Sequence, residues 1–152
     1  MNTEKTITEE QALQRLAADC ARAEHCSYEM TERMRRWGLS EEAQAHVMQR
    51  LIAEHYVDDE RYALAFVRDK LRYNKWGERK IEQALWQKHI DEEIRQRALD
   101  TISTEDYVSV LRPMLQQKRR TTSAVSDYEL KQKLMRFAMG RGFTYDVIEQ
   151  CI

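Results

Sequence analysis

Trp37-Gly38-Leu39-Ser40 sets an apolar residue directly ahead of a helix-capping serine, and the same arrangement returns at Lys88-His89-Ile90-Asp91 and Arg141-Gly142-Phe143-Thr144. Aligning Leu39, Ile90 and Phe143 brings Met30, Ile81 and Leu134 into register nine positions earlier, and Met34, Leu85 and Ala138 five positions earlier. Downstream, Ala43, Ile94 and Val147 coincide, then Val47, Ala98 and Cys151. The spacings of 51 and 53 residues read as three tandem units, 8–57, 58–102 and 103–152.

Each unit carries a further amphipathic stretch ahead of the matched pair, so the expected architecture is all-α, three tandem three-helix repeats. In the first unit Leu13, Leu16, Ala17 and Cys20 share a face, opened by a Thr8/Gln11 capping box. The second opens at Asp58-Asp59-Glu60, with Tyr62, Ala63, Phe66, Val67 and Leu71 as its stripe, and acidic first-turn residues suit the helix dipole. The third opens near Ser103-Thr104-Glu105 and carries Tyr107, Val108, Leu111 and Leu115, with Pro113 expected to kink or interrupt it. Ser27, Ser40, Asp91, Ser126 and Thr144 stand where N-caps are expected, and Ser126 with Glu129 makes a second capping box. A three-helix unit of this size buries little apolar surface alone, so the units must pack on one another, and an elongated curved array is expected. The polar, basic segment 118–125 is the linker candidate.

The bulk composition agrees with short-jointed helices. Only 4 Gly and 1 Pro occur in 152 residues, far below what a hairpin-rich β fold uses. The longest apolar run is Tyr62–Val67, far short of the ~20 residues of a membrane helix, and the polar amino-terminal residues carry no leader pattern. A cytoplasmic protein with no membrane contact is expected. Cys20, Cys26 and Cys151 are odd in number and read as reduced thiols. His25 beside Cys26 is the one pair resembling metal ligands, but no fourfold set is visible, so neither a metal nor another cofactor is expected.

No Gly-rich phosphate loop, nucleophile elbow or His-Glu-x-x-His helix is present, and a non-enzyme is expected. Asp58-Asp59-Glu60 has the makings of an acid/base cluster, but helix capping explains it without a substrate. The joint at Gly38 also resembles a helix-turn-helix. Against that use, the helices following Ser40, Ile90 and Phe143 are all acidic, which opposes entry into a DNA groove. Net charge is −1 overall yet polarised: residues 68–88 carry +4 and residues 41–60 carry −5. Arg68, Lys70, Arg72, Lys75, Arg79, Lys80 and Lys88 interleave there with Tyr73, Trp76 and Trp86. Such zoning suits steering onto a charged protein or nucleoprotein assembly. The competing reading is a solvated helix face with its aromatic residues in the core. Arg35, Arg36 and Lys118-Arg119-Arg120 are candidates to extend the patch, and Met30, Met34 and Met48 read as core fillers.

Tyr56-Val57-Asp58-Asp59-Glu60-Arg61-Tyr62-Ala63 resembles a signature of the RecX family, regulators of the bacterial RecA recombinase. Trp76-Gly77-Glu78-Arg79-Lys80-Ile81, continuing to Leu85 and Ile90, resembles a second family segment, and Arg141-Gly142-Phe143 a third, with Gly140 in place of an arginine. The resemblance spans roughly residues 8–152; it departs at His89, where glycine is common, and in the basic insertion before Ser126. It implies a structural signature of Asp58, Asp59, Arg61, Tyr62, Gly77 and Ile81. It further implies binding to the RecA filament on DNA, with suppression of its ATPase, strand-exchange and coprotease activities, and a place in DNA repair and the SOS response. Arg68, Arg72, Lys75, Arg79 and Lys80, with Lys118, Arg119 and Arg120, are the expected partner- or DNA-facing residues. A monomer is expected, weak direct DNA binding stays open, and the alternative is a helical DNA-binding or adaptor module independent of the recombinase.

Overall fold

A computed structural model describes residues 7–152, and among these described residues the chain forms nine α-helices and no strands. They are α1 (Glu9–Arg22), α2 (Ser27–Arg36), α3 (Glu41–Ala53), α4 (Asp59–Arg72), α5 (Glu78–Gln87), α6 (Glu92–Asp100), α7 (Thr104–Thr121), α8 (Asp127–Gly140) and α9 (Tyr145–Cys151). None is long and apolar enough to cross a membrane. Two compact units result: one holds the described residues up to Ala63 together with Lys88–Ile90, the other Leu64–Gln87 and Asp91–Ile152.

The repeat read from the three joints is visible as burial. Met30, Ile81 and Leu134 are fully buried, as are Met34, Leu85 and Ala138, and Leu39, Ile90 and Phe143 are buried just before their caps. Each position belongs to the middle helix of its triplet or to the joint after it, so one apolar pattern is buried three times along the chain. In the first unit α1 and α2 pack on α3 around Leu13, Leu16, Met30, Met34, Val47 and Leu51. Each such side chain is worth about 1.5–3 kcal/mol on burial. In the second unit α7 packs against α8 and α9, burying Tyr107, Leu111, Leu115, Leu134 and Ile148, and α5 packs on α6.

The caps explain where helices start. Thr8 and Gln11 form the reciprocal box, with Gln11 N–H donating to Thr8 Oγ1 at 3.1 Å and Thr8 N–H to Gln11 Oε1 at 3.0 Å. Ser40 Oγ accepts from Ala43 N–H at 3.1 Å, and Ser103 with Asp106 makes a further box at the start of α7. Asp91 and Thr144 occupy their N-cap positions without a side-chain cap bond. Ser126 accepts from Glu129 N–H, but Glu129 Oε2 reaches past it to Val125 N–H at 3.1 Å, so the expected box is not reciprocal.

Three other expectations are corrected. Ser27 is the first residue of α2 and Cys26 its N-cap, because the acceptor for the Ser27 N–H comes from a distant aspartate, described below. Pro113 neither ends nor interrupts α7, which runs 18 residues through it. Pro113 lies on the exposed face while Leu111 and Leu115 anchor the helix on either side, so buried apolar contact offsets one lost backbone bond. Consequently 118–125 is no linker: Lys118, Arg119 and Arg120 form the last turn of α7, where cations suit the carbonyl end of the dipole. Only residues 122–126 connect α7 to α8.

The joints close as left-handed caps. Leu39 N–H bonds Met34 carbonyl, Tyr56 N–H bonds Leu51 carbonyl and Phe143 N–H bonds Ala138 carbonyl, each over a residue at positive φ, namely Gly38 (+77°), His55 (+62°) and Gly142 (+91°). His89, where the family pattern favours glycine, also adopts φ +56° and stacks its ring on Tyr28, centroids 4.0 Å apart.

Candidate functional site

Two clusters of chemistry-bearing residues arise, one in each unit. In the first unit they gather where α2 and α4 begin. Asp58 Oδ1 accepts from Arg61 N–H at 3.1 Å and so caps α4 from within. Asp59 reaches back instead: its carboxylate accepts from Ser27 N–H at 2.8 Å and from Ser27 Oγ–H at 2.6 Å, supplying α2 with an N-terminal acceptor from 32 residues away. Arg61 Nε donates to Glu24 Oε1 at 2.6 Å, while its Nη2 donates to the carbonyls of His55 and Tyr56 at 3.0 and 3.3 Å. That guanidinium thus satisfies carbonyls at the turn between α3 and α4 that no helix bond would otherwise cover.

Behind this stitching, Tyr62 and Cys26 are buried beside the half-buried Glu29. Burial pushes the Cys26 thiol up to about 12, so it stays protonated and unreactive at neutral pH. The Tyr62 phenol is likewise pushed up, first by burial and then by the Glu29 charge. Burial alone would raise the Glu29 carboxyl as well. The Cys26 N–H, the Lys88 ammonium, the Cys26 thiol and His25 outweigh it, and the group lies below its ordinary value. Lys88 Nζ stands 3.7 Å from Glu29 Oε2, and His25 Nδ1 is equally distant. Around His25 and Cys26, and elsewhere among the described residues, no group of three or more His, Cys, Asp or Glu is placed to hold a metal.

In the second unit the joint is made differently. Gly77 N–H donates to the Arg141 carbonyl at 2.8 Å and Arg79 N–H to the Gly142 carbonyl at 3.0 Å, so the start of α5 is bonded backbone to backbone with the turn between α8 and α9. The approach leaves no room for side chains. A Cβ on Gly77 would lie 2.2 Å from Phe143 N, and one on Gly142 would lie 2.4 Å from Lys80 Cβ. Ile81, one turn on, is fully buried.

Beside that joint, α4, α7 and α8 enclose a cleft of about 520 Å³. Arg72, Lys75, Lys118 and Arg141 supply its charge, and no carboxylate lines it. Val110, Pro113, Met114 and Phe137 form its apolar wall. Lys118 Nζ lies 4.9 Å from the Phe137 ring centroid and the Arg141 guanidinium 5.4 Å from it, both within cation–π range. A second hollow, of about 490 Å³, shares Arg72, Ser109 and Val110 with the first and continues it towards Arg68 and Asp106. Among the described residues none of Arg68, Arg72, Lys75, Lys118 or Arg141 forms an ion pair.

The structure therefore brings together Arg68, Arg72, Lys75 and Lys118 of the sequence candidates. It leaves Arg79, Lys80, Arg119 and Arg120 exposed but outside the cleft, with Lys80 lying over Trp76 at 4.8 Å. The reading that places the aromatic residues in the core fails for Tyr73 and Trp86, which are 72% and 62% exposed. Arg141 is the residue that charge counting missed. It stands alone among neutral neighbours, and only its place in the Arg141-Gly142-Phe143 joint marked it.

The second three-helix domain of RecX matches residues 58–99, and the third three-helix domain matches residues 105–152. A regulatory protein RecX of Halalkalibacterium halodurans is 33% identical over 105 residues, covering 69% of this chain and 40% of the relative. One from Clostridium botulinum (strain Alaska E43) is 31% identical over 119 residues, covering 76% of this chain and 54% of the relative. The crystal structure of RecX from Lactobacillus salivarius superposes with a TM-score of 0.87 at 20% identity, covering 94% of this chain and 93% of that one. At that identity the likeness shows the fold. The chain spans about half the length of the curated relatives it matches.

Proposed function

This chain belongs to the RecX family, and from that premise we propose that it is a non-enzymatic regulator, working in the cytoplasm, that binds the RecA recombinase filament on DNA and inhibits its ATPase, strand-exchange and coprotease activities. The observation that carries the residue-level reading is the cleft of the second unit, where four cations converge without a carboxylate among the lining residues. Unpaired cations in a concave surface raise the local concentration of anionic partners and speed their encounter, an effect that salt screens. Arg68 and Arg72 on α4 and Lys75 after it present one edge of this surface, and Lys118 and Arg141 the other. In this reading the cleft faces the nucleoprotein filament, and the Asp58, Asp59 and Arg61 cluster is structural. Repeats at 8–57, 58–102 and 103–152 would each contribute one three-helix body to the contact.

The test is the DNA-stimulated ATPase of the cognate recombinase, titrated with this protein from far below to equal stoichiometry. Inhibition well below one protein per subunit supports action at filament ends, and inhibition near saturation supports coating along the groove. No inhibition on verified filaments would sink the reading and leave a helical DNA-binding or adaptor module. Charge reversal at Arg72 and Lys75, with melting unchanged, should abolish most of the inhibition if the cleft is the contact surface.

A further inference from the structure

The head of α5 carries a polar cluster of opposite sign, built from residues that do not line the cleft. Tyr107, in the first turn of α7, is only 4% exposed, and among the described residues no group bonds its phenol oxygen. Its ring meets Phe143 edge to face, centroids 6.5 Å apart, and Phe143 is the residue that presses on Gly77. The phenol is thereby brought to the start of α5. Burial first, and then the charges of Glu78 and Asp106, hold it above its ordinary value, so it keeps its proton. Asp106 is already committed to the Ser103 capping box, which leaves Glu78 as the carboxylate open to the phenol.

Glu78 is half-buried, with Glu82 one turn further along α5 and Asp100 at the end of α6, which packs on α5. Burial raises the Glu78 carboxyl, and the Glu82 and Asp100 charges add to the rise. Among the described residues neither Glu78 nor Glu82 forms an ion pair, and Asp100 Oδ1 accepts from the neutral Gln96 amide at 2.9 Å. Three like charges beside a dry, unbonded hydroxyl cost the free protein stability. Groups held against stability in this way mark a site that a ligand completes.

We propose that this cluster, at the first turns of α5 and α7 and the end of α6, receives the guanidinium of an arginine side chain presented by a protein partner. The charge fixes the sign of the occupant, and the acceptors fix its shape. Ionised carboxylates only accept, and the phenol oxygen accepts while its hydrogen goes to Glu78; a guanidinium only donates, through five N–H groups in one plane. An ammonium concentrates its charge at one point, whereas the acceptors here come from three helices. A metal ion does not fit, because among the described residues no three of His, Cys, Asp or Glu are placed to hold one. The proposal does not depend on the filament reading, and its test leaves the recombinase out.

The full chain is titrated with N-acetyl-argininamide, which presents the side chain with both ends neutral, and in parallel with N-acetyl-lysinamide and with sodium chloride at matched ionic strength. The Glu78 side-chain carboxyl is followed by carbon NMR. Saturable binding of the arginine analogue at about millimolar affinity is expected, with the Glu78 carboxyl brought down towards its ordinary value, and the lysine analogue should bind about threefold or more weakly. Glu78→Gln should weaken binding about tenfold and Tyr107→Phe, which keeps the ring against Phe143, about threefold. Glu149→Gln, an exposed acid on α9, should stay within about twofold of the parent. Without ligand at pH 7, Glu78→Gln and Tyr107→Phe should both melt at or above the parent, since one loses a repelled charge and the other a hydroxyl without a partner. The proposal is overturned if the Glu78 carboxyl answers the arginine analogue no more than it answers salt, or if the lysine analogue binds as tightly. It is equally overturned if Tyr107→Phe binds like the parent, or if it melts lower without ligand, which would show the hydroxyl already serving a bond inside the free protein.

Discussion

The two units solve the same joining problem with different groups. In the first, the start of α4 is tied to distant chain by side chains: Asp59 to Ser27, and Arg61 to Glu24 and to two carbonyls. In the second, the start of α5 is tied to the turn after α8 by backbone alone, Gly77 to Arg141 and Arg79 to Gly142. A joint made of ion pairs and charged hydrogen bonds consumes its cations. A joint made of backbone leaves them over. Arg33 pairs with Asp19, Arg50 with Glu10 and Glu54, Arg61 with Glu24 and Lys88 with Glu29, all in the first unit, whereas in the second Lys133 pairs with Glu129 and, among the described residues, the cleft cations pair with no carboxylate. In the second unit the joint itself takes up none of the side-chain charge of the cleft.

The backbone joint should be the more brittle of the two. Adding one methyl at Gly77→Ala would put carbon 2.2 Å from Phe143 N, and since backbone rather than a flexible side chain stands in the way, the α8–α9 turn must move. A loss of about 3 kcal/mol is expected, read as a drop in the denaturation midpoint. A near-neutral result would show that this turn yields easily and would remove the basis of the contrast.

The side-chain joint should fail more gently. Asp59→Ala removes two hydrogen bonds to a charged acceptor and leaves the Ser27 N–H without its partner, which costs about 1–3 kcal/mol. Asp59→Asn keeps an acceptor and should recover part of it. Filament inhibition, measured at a temperature where the variant is folded, should be unchanged. A loss of inhibition with unchanged melting would instead make Asp59 a contact residue.

What the sequence discloses follows the same division between near and far. Thr8 with Gln11 and Ser103 with the turn after it are local, and the apolar residues at 30, 81 and 134 repeat at a fixed interval, so capping and periodicity reveal them. The bond from Asp59 to Ser27 spans 32 residues and belongs to no period, so Ser27 reads as an ordinary N-cap when it is a helix residue capped from elsewhere. Gly142 follows a helix and Gly77 precedes one, and nothing local shows that each is small so the chain near the other can come close. Pro113 and the run Lys118-Arg119-Arg120 mislead for the opposite reason: local propensity reads a break and a linker, while Leu111 and Leu115, buried by α8 and α9, carry the helix through. The cleft is legible only in part, since Arg68, Arg72 and Lys75 form a visible excess whereas Arg141 is isolated in the chain.

The smallest effect tests the electrostatic half of the contrast. Glu29 lies below its ordinary value because the Cys26 N–H, Lys88, the Cys26 thiol and His25 outweigh the burial that would raise it. A carboxyl whose folded value is depressed contributes stability that is fully present above the unfolded value, and loses it as pH falls through the folded one. The first unit should therefore soften below about pH 4.5, the ordinary value of the group. Glu29→Gln removes the titration, so its melting temperature should fall less steeply with acid than that of the parent, although it starts lower at pH 7. The cleft variant Lys118→Gln has no ionised partner to lose among the described residues and should leave the acid limb where it was, with only a small drop in the pH 7 melting temperature from the lost contact with the Phe137 ring. Should Lys118→Gln instead steepen or flatten the acid limb, an anion would have to hold that lysine in the free protein, and the separation between spent and available charge would not stand.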